Sequence, residues 1–149
     1  MIFVLVGLPG AGKTEWAKKK QEETGAVIIS RDDIRRCVYG IEFDIDNEGG
    51  VNLMFWALYR AALQAEIDII VDCTNLVRHV RKRLVNLAAV RGHESTAVVF
   101  DVDPEEAWKR KKAMGTSMSR EAFDRLAATY ELVSPSEGFD EIVFVGGER

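Results

Sequence analysis

Gly7, Gly12, Lys13 and Thr14 stand at the spacing G-x-x-x-x-G-K-[ST] within Gly7-Leu8-Pro9-Gly10-Ala11-Gly12-Lys13-Thr14. That combination can hold a phosphate. Glycines let backbone N–H groups turn toward an anion, a helix starting there adds its positive N-terminal end, Lys13 reaches outer phosphates and the Thr14 hydroxyl meets magnesium. The implied ligand is a nucleoside triphosphate. An ordinary glycine-rich strand-to-helix turn is the alternative, but the hydrophobic run Ile2 to Val6 before the pattern and the helical pattern after it supply the context that phosphate binding requires.

A second set lies in Ser30-Arg31-Asp32-Asp33-Ile34-Arg35, where Asp32 and Arg35 fall one helical turn apart on one face. An ionised aspartate can accept a hydroxyl proton as it is lost to phosphoryl transfer, and arginine forks a phosphate. The same residues also read as a helix cap with acids in its first turn and a surface ion pair. The run Ile67-Asp68-Ile69-Ile70-Val71-Asp72 ends in an acid, as expected of the carboxylate on the magnesium side of such a phosphate site, and Thr74 and Asn75 follow, suited to meet a substrate or to cap the next helix. Lys109, Arg110, Lys111 and Lys112 precede Gly115, Thr116 and Ser117. They suit the C-terminal end of a helix opened by Asp103-Pro104, or a lid that brings cations over a transferring phosphoryl group.

The elements that must position these groups are legible in the alternation of apolar runs. Strands are expected near 2–6, 26–29, 68–72, 96–102 and 141–145, with helices between them. Such βαβα order predicts a parallel sheet covered on both faces, with the ligand at the carboxyl ends of the strands. The helix from about Val51 to Gln64 is apolar on nearly all sides, which predicts burial as core, with a lesser role for one aromatic at a nucleobase. Residues Gly40 to Gly50, with Asp44, Asp46 and Glu48, read as an acidic loop that lacks the rest of a calcium-binding EF-hand.

A length of 149 residues, 47% hydrophobic and 30% charged, fits one domain over 1–149 with a real core. No segment reaches membrane-spanning length and no basic region precedes the first apolar run, so a cytoplasmic protein is expected. The net charge of −4 argues against coating long nucleic acid by electrostatics, though not against gripping a terminus. The basic run Arg78-His79-Val80-Arg81-Lys82-Arg83 reads as a solvated helix face, and His79 as a surface residue. Cys37 and Cys73 show no metal-type spacing and read as reduced, partly buried thiols.

Taken together, the loop Gly7–Thr14 with Trp16, Arg31-Asp32-Asp33 with Arg35, Asp72-Cys73-Thr74-Asn75-Leu76, and Phe100-Asp101-Val102 leading to Lys109-Arg110 resemble the kinase domain of T4-type polynucleotide 5′-hydroxyl kinases. The likeness covers nearly the whole chain. It implies a three-layer P-loop kinase fold, a five-stranded parallel sheet in the order 2-3-1-4-5, and a short helical lid at about 109–120. It implies that Gly7, Leu8, Pro9, Gly10, Ala11, Gly12, Lys13 and Thr14 bind the donor phosphates of ATP or GTP. Thr14 and, through water, Asp72 would serve Mg2+. Asp32 would be the general base on a 5′-hydroxyl end of DNA or RNA, Lys13 and Arg110 would assist catalysis from the donor side, and Arg35, Asp72 and Asn75 would contact the acceptor.

One departure stands out: the family lid carries a second arginine where this chain has Met114, so Lys111, Lys112 or Arg120 is left to take its place. The chain ends soon after the fifth strand, so any end repair would need a separate ligase or phosphatase, as suits a phage or bacterial setting. The rival expectation is a P-loop phosphotransferase acting on a small molecule, in the manner of zeta-toxin-like or gluconate-kinase-like proteins. A nucleotide-binding switch is a third, less favoured by the pairing of Asp32 with Arg35.

Overall fold

β1 (Ile2–Val6) is a short run of apolar residues, and parallel partners on both sides make it the middle of the sheet. In the computed structural model, which describes residues 1–41 and 45–146, five strands lie in the order β2-β3-β1-β4-β5. All pairings are parallel: β2 (Val27–Ile29) sets Val27 opposite Ile69 of β3 (Ile69–Val71), β1 sets Ile2 opposite both Ile69 and Ser95, and β4 (Ser95–Phe100) sets Thr96 opposite Glu141 of β5 (Glu141–Val145). The α/β fold and sheet order expected from the resemblance are therefore correct. β4 is buried throughout, as a central parallel strand covered on both faces must be.

Helices cover both faces. On one, α3 (Glu48–Gln64) and α4 (Arg78–Val90) pack Val51, Phe55, Tyr59, Leu63, Leu84 and Ala88 onto Ile2, Val4, Ile69 and Val71. On the other, α1 (Lys13–Thr24) lays Ala17 and Trp16 against Leu5, Ile70, Val98 and Phe100. A third cluster joins Leu8 and Leu76 to Ala107 and Phe123, and so seats α5 (Pro104–Ala113) and α6 (Arg120–Ala128) on the loop after β1. Strand alternation is what brings this about, because Leu5 points to one face while Val4 and Val6 point to the other.

β1 and β5 fall at the expected 2–6 and 141–145, whereas β2, β3 and β4 are shorter than the apolar runs that encode them. β4 stops at Phe100 instead of continuing to Val102, because Asp103 must cap α5, accepting from the Glu105 N–H at 3.0 Å ahead of Pro104. The helix expected from Val51 begins at Glu48, which contributes a carboxylate to the positive first turn. Gly50 leaves room there for the Tyr39 hydroxyl, which would have to shift if position 50 carried a Cβ. Burial on nearly all sides is corrected as well: Phe55, Trp56 and Tyr59 are core, but Leu53 and Leu58 are exposed, because α3 lies outside the sheet and only its inner side is covered. Of the acidic loop, Asp46 falls in a 3-10 turn (Ile45–Asn47), Glu48 in α3, and Asp44 lies outside the described residues.

The basic run at the head of α4 is not wholly solvated. Arg81 is fully buried: its Nε and Nη2 donate to Glu137 at 2.6 and 3.2 Å, Nη1 to the carbonyls of Asn75 and Leu76, and Nη2 to that of Glu131. Its neighbour His79 is exposed, as expected. Both cysteines are free, but Cys37 is exposed rather than partly buried, on the π-helical turn Arg35–Tyr39 that continues α2 (Arg31–Ile34). Among the described residues no helix is long and apolar enough to cross a membrane.

Candidate active site

The carboxyl ends of β1, β2 and β3 deliver Gly7, Ser30 and Asp72 to one edge of the sheet, and the loop after β1 is built to receive an anion there. Gly7 donates its N–H to the Thr74 carbonyl at 3.0 Å, tying the loop to the mouth of β3. Gly10 and Gly12 take φ of +86° and +98°, the left-handed region that favours glycine. Gly12 caps α1 without any side-chain hydrogen bond, so the first N–H groups of that helix have no capping side chain. A Cβ on Gly10 would run into the Ala107 carbonyl and the Lys111 backbone, so α5 rests directly on the crest of the loop.

Lys13 folds back beneath this loop. Only 8% exposed, it donates from Nζ to the Leu8 carbonyl at 2.7 Å. Burial lowers its pKa to about 8, despite the opposing charges of Asp72, Cys73 and Asp32, and Lys111 lowers it further. A polyanion bound beside it restores the charged form, so its pKa rises on binding. Affinity for a nucleoside diphosphate is therefore expected to be greatest below about pH 8, to fall as pH rises through that value, and to be accompanied by proton uptake, which calorimetry in buffers of different ionisation enthalpy measures.

The Thr14 hydroxyl donates to Asp72 Oδ2 at 2.8 Å. Burial pushes the Asp72 carboxyl up, against the pull of Thr14 and Lys13. A hydroxyl and a carboxylate side by side are hard oxygen donors, and among the described residues no group of three or more His, Cys, Asp or Glu is placed to hold a metal ion. That set fits Mg2+, which takes one or two protein oxygens and completes its shell with water and substrate phosphates, better than it fits a metal needing a protein cage.

Across the mouth, Ser30 caps α2 by accepting from the Asp33 N–H at 3.3 Å, and the first turn presents Asp32 and Arg35. The structural reading of this segment is met in both its parts: the cap is made, and Arg35 Nη1 meets Asp32 Oδ1 at 2.5 Å. The remainder of the Arg35 fork is held by Glu48, with Nε and Nη2 at 2.5 and 2.8 Å from its two carboxylate oxygens. Glu48 escaped sequence reasoning, because its partner lies 13 residues back and only the packing of α3 against α2 brings them together. Arg31 was also missed. Its guanidinium covers the Phe55 ring at 3.8 Å and reaches Asn52 Oδ1 at 3.3 Å.

Asn75 is placed beneath the mouth rather than on it. It is 4% exposed, takes φ +46°, and donates from Nδ2 to the Leu5 carbonyl at 2.7 Å, so it ties the mouth of β3 to β1 instead of offering its amide to an acceptor. Its Oδ1 is buried without a hydrogen-bond partner. Arg110 projects to solvent, its Nε 3.2 Å from Glu106. Arg120, another candidate cation, is engaged by Glu105 and by Asp124, which links α6 to α5.

With this geometry in view, similarities to known proteins acquire meaning. A chain of the Pnkp1/Rnl/Hen1 RNA repair complex superposes with a TM-score of 0.73 at 25% identity, over 86% of this chain and 43% of that one, so the present chain spans less than half its length. Kti12 of Chaetomium thermophilum, solved in complex with ADP-AlF3, matches at a TM-score of 0.71 and 20% identity over 97% of this chain and 88% of that one. A gluconokinase from Sinorhizobium meliloti 1021 matches at 0.64 and 22% identity, over 96% and 80% of the two chains. The fold is that of P-loop kinases. The sequence profile of the AAA domain family matches residues 2–133, from β1 through the phosphate loop to the segment after α6, and the chain belongs to that family.

Proposed function

We propose that this protein transfers the γ-phosphoryl group of ATP or GTP to the 5′-hydroxyl of a DNA or RNA end. The observation that carries the reading is the pairing of exposed Asp32 with Arg35 at the carboxyl end of β2, facing the edge that carries Lys13, Thr14 and Asp72. The 25% identity to a chain of an RNA repair complex supports a polynucleotide acceptor and a separate ligase as partner. The backbone of the phosphate loop and Lys13 orient the donor. Mg2+ held near Thr14 and Asp72 would neutralise charge on the phosphate oxygens. The 5′-oxygen forms a bond to the γ-phosphorus as the bond to the β–γ bridging oxygen breaks. Its proton passes to the Asp32 carboxylate and the nucleoside diphosphate departs. Arg35 receives an acceptor phosphate by exchanging it for Glu48, and Arg110 reaches the donor by leaving Glu106.

The test is transfer of labelled γ-phosphate to a 5′-hydroxyl oligonucleotide, beside a 5′-phosphorylated control and Lys13→Ala. Labelling of the hydroxyl end alone, reduced at least a hundredfold in the variant, is expected; loss of an activated electrostatic contact to the transferring group is on the order of 10²–10³ in rate. Labelling of gluconate or another small alcohol, with none of the oligonucleotide, would overturn the acceptor assignment and favour the small-molecule phosphotransferase.

A further inference from the structure

We infer that Lys111 is the second cation that, beside Arg110, meets the donor phosphates from α5, standing in for the lid arginine whose place Met114 occupies. The inference rests on the phosphotransferase reading and names a residue of that same site.

Four consecutive cations, Lys109 to Lys112, sit on α5, but helical geometry sends them in different directions. Ala107 is fully buried against the loop after β1, and Lys111 follows it by one turn on the same face. A Cβ on Gly10 would lie 2.9 Å from the Lys111 nitrogen and 3.0 Å from its Cβ, so the root of the Lys111 side chain touches the crest of the phosphate loop. Lys111 is half-buried, whereas Lys109, Arg110 and Lys112 are exposed.

Of the other candidates for that place, Arg120 is held by Glu105 and Asp124 and Lys112 is exposed, while Met114 itself ends α5 in solvent. Lys13 follows the loop and Lys111 rests on its crest, so both cations stand at the one phosphate loop.

Calorimetry with ADP and Mg2+, without acceptor, tests this on the wild type, Lys111→Met, Lys111→Arg and Lys109→Met, with thermal unfolding recorded for each. Lys111→Met is expected to weaken ADP binding about tenfold, the loss of one charge-assisted contact. Lys111→Arg should hold it within about threefold and Lys109→Met within about twofold. Recovery of affinity in Lys111→Arg, with thermal unfolding unchanged in both variants, separates a charged contact from a merely structural role. Wild-type affinity in Lys111→Met would overturn the assignment. Absence of ADP binding by the wild type would overturn the nucleotide site and this inference together. ADP binding without labelling of an oligonucleotide would overturn the acceptor alone.

Discussion

Asp32→Ala is expected to lose phosphoryl transfer by about 10²–10⁴-fold, the usual contribution of a positioned general base, while binding ADP within about twofold of the wild type. The two effects separate because Asp32 stands on α2 with its side chain 68% exposed, bonded to Arg35 rather than to the phosphate loop. Asp32→Asn should behave alike, since it preserves size and hydrogen bonding but cannot take a proton. Steady-state transfer together with calorimetric ADP affinity measures both quantities. Turnover of Asp32→Ala within about threefold of the wild type would remove Asp32 from the proton-transfer role.

The second large effect is on stability. Arg81→Met should destabilise the protein by about 3–5 kcal/mol, because it leaves buried Glu137 with only the half-exposed Arg78, 3.9 Å away, as counter-charge. Glu137 is 2% exposed, and its two carboxylate oxygens face Arg81. The guanidinium also satisfies the carbonyls of Asn75 and Glu131 and shares that of Leu76 with the Glu131 N–H, so the variant orphans two backbone acceptors besides weakening the hold on the carboxylate. The double variant Arg81→Met, Glu137→Met removes both charges and should recover part of the loss, since a buried pair replaced as a unit is often close to neutral. Urea unfolding distinguishes these outcomes: a single variant costing under about 1 kcal/mol would show that the hub does not hold the loop after β3 in place.

The comparison between sequence and structure is instructive at particular residues. Ser30 and Asp103 act through neighbours a few positions away, so their cap roles could be read directly. Glu48 and Arg81 act through partners 13 and 56 residues distant. Arg81 shows the difficulty well. In a run of six residues containing four arginines and lysines it is indistinguishable by type from its exposed neighbours, and only the seating of α4 against the 3-10 turn at Pro135–Glu137 turns it inward. Asn75 presents the converse case: a polar residue at a strand mouth suggests a substrate contact, yet its left-handed backbone turns the amide under the loop to β1.

The sequence by itself determined the parallel α/β architecture, the position of the phosphate loop and the strand ends that carry Asp32 and Asp72, because periodicity, glycine placement and capping are local properties of the chain. Only the tertiary structure decided which cation on α5 meets the loop, that Glu48 holds the Arg35 fork, and that Arg81 is core. Each of these depends on the angle at which one helix is laid against another, and side-chain direction on a helix changes by about 100° from one residue to the next.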